Sequence, residues 1–245
     1  MSLVAQPTLV SRWRGAAHRP AKVAAAIVAV ACAVLVLLPS HGRGHQAGVP
    51  GPRAGRGTNG AGPDLGAPGN GQLRLVMGSR MVNGIYTDYP HSQAGAVSAA
   101  VEFITELGST LDPDRAATVA RLAASPSYPA AAQDAAASAV AARRRLGLPA
   151  SGSLPPGTAV FLVPVMYQLR GASADQLTVL LLFNYTKTAP SGTAEHIGVA
   201  SVRVGWTPAS WRLLRPAGAD LSGLLTTPGT ADAAAKGWKV MIDAM

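Results

Sequence analysis

Five histidines, one cysteine and a scatter of serines and carboxylates are the side chains of this 245-residue chain that could do chemistry. A serine hydrolase on an α/β sheet needs a Gly-x-Ser-x-Gly elbow, because only that strained turn lifts the hydroxyl clear of the strand; the chain has none. His91 and His196, with Asp88 or Glu195 as orienting acids, are the residue types for general acid–base work. Their spacing alone does not bring them together. Metal binding requires clustered ligands, and His41 and His45 lie in a Gly/Pro stretch, His18 in a basic segment, and His91 and His196 far apart. No phosphate loop is present, since the Gly-rich stretch neither follows a strand nor opens a helix. The expectation is a protein that is not an enzyme, with no cofactor and no metal.

The residues most able to form a contact surface or line a pocket are aromatic. Tyr89-Pro90-His91 is the most unusual local run, in which Pro90 fixes the approach to a helix and His91 offers a polar contact. Phe161, Phe183, Tyr185, Trp206 and Trp211 are able to line a pocket, and an ordinary packed core uses the same residue types. Asn184-Tyr185-Thr186 matches a glycosylation acceptor but sits within a strand pattern.

The elements that would position these residues follow from composition and periodicity. Val23 to Leu38 is sixteen residues without a polar side chain, about 24 Å as a helix at roughly 1.5 Å per residue. Arg12, Arg14, Arg19 and Lys22 precede it, so the positive-inside rule places the N-terminus in the cytoplasm. The expected layout is a basic cytoplasmic tail over 1–22, a transmembrane helix over 23–40, a disordered Gly/Pro linker over 41–71 and an extracytoplasmic α+β domain over 72–245. A cleaved signal ending near Ser40-His41-Gly42 is the competing reading. A lipoprotein signal at Cys32 fits less well, because the apolar run continues beyond it.

The net charge of +9 is concentrated before the domain: residues 1–71 carry seven Lys/Arg against Asp64 alone, while 72–245 carry fourteen against eleven acids. A domain so nearly balanced is a poor match for a phosphate backbone, so nucleic acid is not an expected partner. The expected partners are the lipid bilayer and other membrane or envelope proteins.

Within the domain, Val82-Asn83-Gly84-Ile85 is a turn signal. Ser92 caps a helix whose apolar stripe runs Ala94, Val97, Val101, Ile104 and Leu107 to a stop at Gly108. Asp112-Pro113-Asp114 opens a second helix, and a third runs from about Pro129 to Leu146. That helix closes on Arg143, Arg144 and Arg145, read as a solvated, dipole-stabilised end. Then β-branched and aromatic runs over 159–169, 176–186, 195–206 and 210–214 predict an antiparallel meander. The last residues, 230–245, predict a short helix weakened by Gly237. The fold class expected is α+β: about three helices packed on a curved, cone-like, four-stranded antiparallel sheet.

Helices followed by a twisted meander ending in Trp211-Arg212-Leu213 resemble the nuclear transport factor 2-like cone fold. The segment Val82–Tyr86, Tyr89-Pro90-His91 and Gly95–Ala100 also resembles a group of actinobacterial membrane-anchored proteins found with conjugation or secretion genes. That resemblance implies a layout similar to the bitopic scaffold subunits of type IV secretion machines. The function expected is a single-pass membrane-anchored scaffold or adaptor with an extracytoplasmic protein-binding domain, with a small-ligand-binding or sensor domain as the alternative.

Overall fold

The computed structural model describes residues 72–190 and 192–243, together with the strand pairing of Leu38–Pro39. In chain order the elements are β1 (Leu38–Pro39), β2 (Leu73–Arg74), β3 (Arg80–Val82), β4 (Ile85–Thr87), α1 (Gln93–Gly108), α2 (Pro113–Ala123), α3 (Ala131–Arg145), β5 (Ala159–Arg170), β6 (Gln176–Ala189), β7 (Gly192–Thr207), β8 (Ser210–Leu213), α4 (Ala231–Ala235) and β9 (Lys239–Ile242).

The three long helices form where capping and periodicity put them. Ser92 accepts a bond from the Gly95 N–H at the start of α1, and Asp112 accepts one from Asp114 at the start of α2. Strands β5, β6, β7 and β8 also lie where the apolar runs fall. Asn83 and Gly84 both have positive φ, 53° and 77°, which gives the two-residue β3–β4 hairpin the backbone twist it needs.

The sheet corrects the expected fold class. It is not a four-stranded antiparallel sheet but a mixed one, ordered β1-β7-β6-β5-β9-β2 along six strands, with β8 as a seventh pairing with β7. The additions come from both ends of the chain. β9 pairs antiparallel with β5 and parallel with β2. The expected C-terminal helix stops after five residues at Ala235, because Gly237 adopts φ 84° and Val240-Met241-Ile242 suits a strand.

The expected transmembrane helix is likewise not seen. Its described end, Leu38–Pro39, is strand, antiparallel against Ile197 and His196. A residue preceding proline is biased to extended backbone, which suits Leu38 to this role. No described helix is long and apolar enough to cross a membrane. The remainder of the expected span, 23–37, and the expected tail and linker lie outside the described residues.

The helices cover one face of the sheet. There Leu177, Val179, Leu181, Phe183 and Tyr185 of β6 meet Val97, Ala100, Phe103 and Ile104 of α1 in one buried cluster. The opposite, outer face is half covered. Met166, Leu180, Leu182 and Val199 are buried beneath Leu221, Ala233 and Trp238 of the C-terminal segment, while Phe161, Val163 and Val240 stay exposed. A β-bulge in β5 lies at this boundary. Pro164 pairs with Phe183 and Met166 with Leu182, so Val165 is an extra residue in β5.

Candidate functional site

His91, Asp175, Trp206 and Trp211 gather at one end of the sheet, where the segment 88–92, the β5–β6 loop and the β7–β8 turn meet. Asp88 begins it with a left-handed backbone, φ 59°. Three contacts hold it there: its carboxylate pairs with Arg80 Nε at 2.9 Å, its N–H donates to Ser210 Oγ at 3.1 Å, and its carbonyl accepts from Ser79 Oγ at 3.1 Å. A non-glycine residue in this region costs about 1–3 kcal/mol and persists only where such contacts fix it.

Pro90 turns the chain into α1. Its carbonyl accepts the Trp211 Nε1–H at 3.0 Å and the Ser92 N–H at 2.8 Å. A Cβ at residue 95 would lie 2.0 Å from that same oxygen, so only glycine fits at Gly95.

His91 then stacks on Trp206, with ring centroids 4.2 Å apart and planes 10° from parallel. Trp206 meets Trp211 edge-on at 5.5 Å. The His91 Nε2 lies 3.0 Å from both the Ala174 carbonyl oxygen and Asp175 Oδ1. Both partners accept, so Nε2 carries the proton and acts as donor. Asp175 is tied in turn to the sheet, its carbonyl accepting the Trp206 N–H at 2.7 Å. Two loops and the end of β7, distant in sequence, are thus clasped into one surface.

The expected site residues separate into two groups. Tyr89, Phe183, Tyr185 and Trp211 are buried in the main core. Phe183 lies across Gly198, where an added Cβ would stand 2.4 Å from its Cζ. His91 and Trp206 reach the surface end, His91 exposed and Trp206 half-buried. Of the other expected residues, Val23 lies outside the described residues and Leu38 is in β1. His196 sits on β7 opposite Tyr185, ten residues along the strand from Trp206, and its Nδ1 is buried without a hydrogen-bond partner. The acid at His91 is Asp175, not Asp88, which pairs with Arg80 instead. Asp175 was not legible as a site residue, because its only local signal is a hairpin-length loop.

The hydroxyls near this end are committed to structure. Ser92 Oγ caps α1, and Ser210 Oγ, fully buried, donates to the Trp211 carbonyl while accepting from Asp88. Among the described residues, no group of three or more His, Cys, Asp or Glu side chains could hold a metal ion.

A second polar cluster lies along α1. Glu102 accepts the Tyr86 N–H at 2.8 Å, and Glu106 pairs with Arg115, whose Nη1 donates to the Asn83 carbonyl at 2.7 Å. Burial raises the Glu102 carboxyl above its ordinary value; the Tyr86 bond opposes this and the neighbouring Glu106 adds to it. Burial also raises the Tyr89 phenol, reinforced by Glu102.

The tri-arginine needs a correction as well. Arg143 is not solvated but buried, with Nε donating to the Leu111 carbonyl at 2.6 Å and Nη1 to that of Gly152 at 2.9 Å. Arg144 and Arg145 are exposed.

Comparison of the chain with protein-family models, with curated proteins and with solved structures finds no match.

Proposed function

We propose that the chain is a non-enzymatic adaptor held at a membrane, whose folded domain binds another envelope protein through the surface built by His91, Trp206 and Asp175. One observation carries the reading: the 88–92 segment, the β5–β6 loop and the end of β7 are clasped into a fixed surface presenting an indole, an imidazole and a carboxylate. Rigid aromatic anchors beside a charged group are the residue types on which binding energy concentrates at protein interfaces. Nearby hydroxyls serve caps and strand contacts, so the same surface has little support as a reaction centre. Support for the membrane comes from the sequence alone, in the apolar residues of 23–37, which lie outside the described residues, behind a basic segment. The resemblance to secretion scaffolds makes a conjugation or secretion assembly the natural setting.

The alternative, a ligand-binding cone, draws on Phe183, Tyr185 and Trp211. Their place in the packed core lends it no support.

The test is crosslinking in the protein's own cells. A photoreactive residue at Ala172 or Pro208 is expected to capture a second envelope protein, and Asp175→Lys to abolish capture while leaving the domain folded. Recovery of the chain alone from both positions would sink the proposal.

A further inference from the structure

We infer that the edge of the sheet at β8, where Arg203, Arg212 and Arg215 gather, takes an acidic segment of the protein that the clasp binds. This rests on the reading of the clasp as a protein-binding surface and names the chemistry of what that surface meets.

The β7–β8 ribbon brings the arginines together. Val202, Val204, Trp211 and Leu213 face the main core, so Arg203 and Arg212, which alternate with them, face the outer side. The Leu214 N–H donates to the Arg203 carbonyl at 2.9 Å, which carries Arg215 alongside. The fold holds each guanidinium in place. Arg203 Nη1 donates to the Arg215 carbonyl at 3.0 Å, and Arg212 Nη1 donates to the Leu122 carbonyl near the end of α2. Arg215 lies over the Tyr128 ring, 5.5 Å from its centroid. Side chains already ordered in this way cost a partner little entropy on binding.

What the three cations lack is a counter-ion. Among the described residues Arg80 pairs with Asp88, Arg115 with Glu106 and Lys236 with Asp232, while no carboxylate is in ion-pair reach of Arg203, Arg212 or Arg215. Asp134, which reaches Tyr128, accepts that residue's hydroxyl at 2.8 Å instead. Arg203 and Arg212 are half-buried, so each is partly stripped of water and gains from an opposite charge. A guanidinium carries five N–H donors, and Arg203 and Arg212 each use one on a backbone carbonyl. The others suit the paired bonds that a carboxylate accepts.

The occupant follows from charge and from place. Arg212 directly follows Trp211, and Arg203 is three residues from Trp206 along β7, about 10 Å at roughly 3.3 Å per residue. A protein seated on the clasp therefore has the arginines within a short extended reach of its own chain. The clasp offers the exposed carboxylate of Asp175, so the two ends of the surface differ in sign and fix the direction in which the partner lies. The near balance of charge over 72–245, fourteen Lys/Arg against eleven acids, suits a short acidic run better than a phosphate backbone.

The experiment uses the full chain in its own cells, with a photoreactive residue at Pro208 beside the clasp or at Ala217 beyond Arg215. Both positions are expected to capture the same protein, and the peptide joined to 217 to be rich in Asp and Glu. Paired substitution of Arg203 and Arg215 should lower capture from 217 in the order Lys, Gln, Glu, with Arg203→Gln/Arg215→Gln down about tenfold. Arg144→Gln, an exposed arginine elsewhere, should leave it unchanged. No capture from 208 overturns the clasp reading together with this one. Capture from 208 with none from 217, or a joined peptide without acidic residues, or a phospholipid adduct at 217, overturns the inference and leaves the clasp. Equal capture by the Lys, Gln and Glu pairs, whether kept or lost, means that charge is not what is read and also overturns it. Unchanged thermal unfolding shows that the variants are folded, and the identity of the peptide joined to the parent chain decides the matter if one is not.

Discussion

The His91 imidazole lies flat against the Trp206 indole and from that position donates its Nε2–H to the β5–β6 loop. The stack gives the ring its plane, and the plane aims the donor. Two weak interactions so become one orienting device, and their energies can be separated by substitution.

His91→Ala is expected to lower stability by about 1–2 kcal/mol, combining a lost ring contact with a lost hydrogen bond. His91→Phe keeps the stack and loses only the bond, so its cost should be about half as large. Urea unfolding of the three proteins measures the difference. Equal losses in both variants would mean that the stack contributes nothing.

Gly198 faces the Phe183 ring, and a methyl there has no room. Gly198→Ala is expected to cost about 1–3 kcal/mol through overpacking. Phe183→Leu should relieve part of that penalty, which a double-mutant cycle reads as a favourable coupling. Additive losses would show that the ring moves aside without strain.

Arg143 ties the end of α3 to the 149–152 turn and to Leu111. Arg143→Met removes the donors and leaves buried carbonyls without them, with an expected loss of about 2–4 kcal/mol. Arg144→Ala, one residue along and exposed, should fall within about 0.5 kcal/mol of the parent. Thermal unfolding midpoints distinguish the two.

Glu102 sets a pH dependence. Its folded-state affinity for a proton is raised above the ordinary carboxyl value of 4.5, chiefly by burial. Between that value and its raised folded one, the native state binds the extra proton. The contribution to stability is therefore present below pH 4.5 and lost as pH rises through the folded value. Glu102→Gln retains an acceptor for the Tyr86 N–H and cannot ionise. The difference in stability between parent and variant should move in the variant's favour as pH rises from 4 to 7; a constant difference would refute the assignment.

Trp238 closes the second core over Met166, Leu180, Leu182 and Val199, its Nε1–H donating to the Leu224 carbonyl at 3.0 Å. Trp238→Ala is expected to cost about 3–5 kcal/mol and to expose apolar sheet that binds a hydrophobic dye. A variant with parent stability would mean that the C-terminal segment packs only loosely.

What the sequence discloses tracks how local its physics is. Ser92 and Asp112 as caps, the Asn83-Gly84 turn and the alternation through Leu177, Val179 and Leu181 are short-range, and each stands where its pattern places it. Leu180 and Leu182 read only as the other side of an apolar run, because the segment that buries them arrives about forty residues later. β9 was hidden by the alanines of α4, whose helical pattern runs past the point at which Gly237 turns the chain. Arg143 is indistinguishable in sequence from Arg144 and Arg145, since helix rotation alone selects the one that meets the carbonyls. His91 is separated from Asp175 by more than eighty residues, and no spacing rule joins them.

The single inserted residue in β5 gives that strand two reading frames. Upstream of Val165 the outward positions are 161 and 163; downstream they begin again at Met166. The outward residues in the first frame answer to whatever the surface meets, and those in the second to the buried C-terminal segment. Variation in one frame is uncoupled from the packing of the other. Deleting Val165 would place Met166 directly after Pro164, opposite Leu182 as before, so the bulge would be lost and the two frames would merge into one regular alternation with Met166 still facing the C-terminal segment.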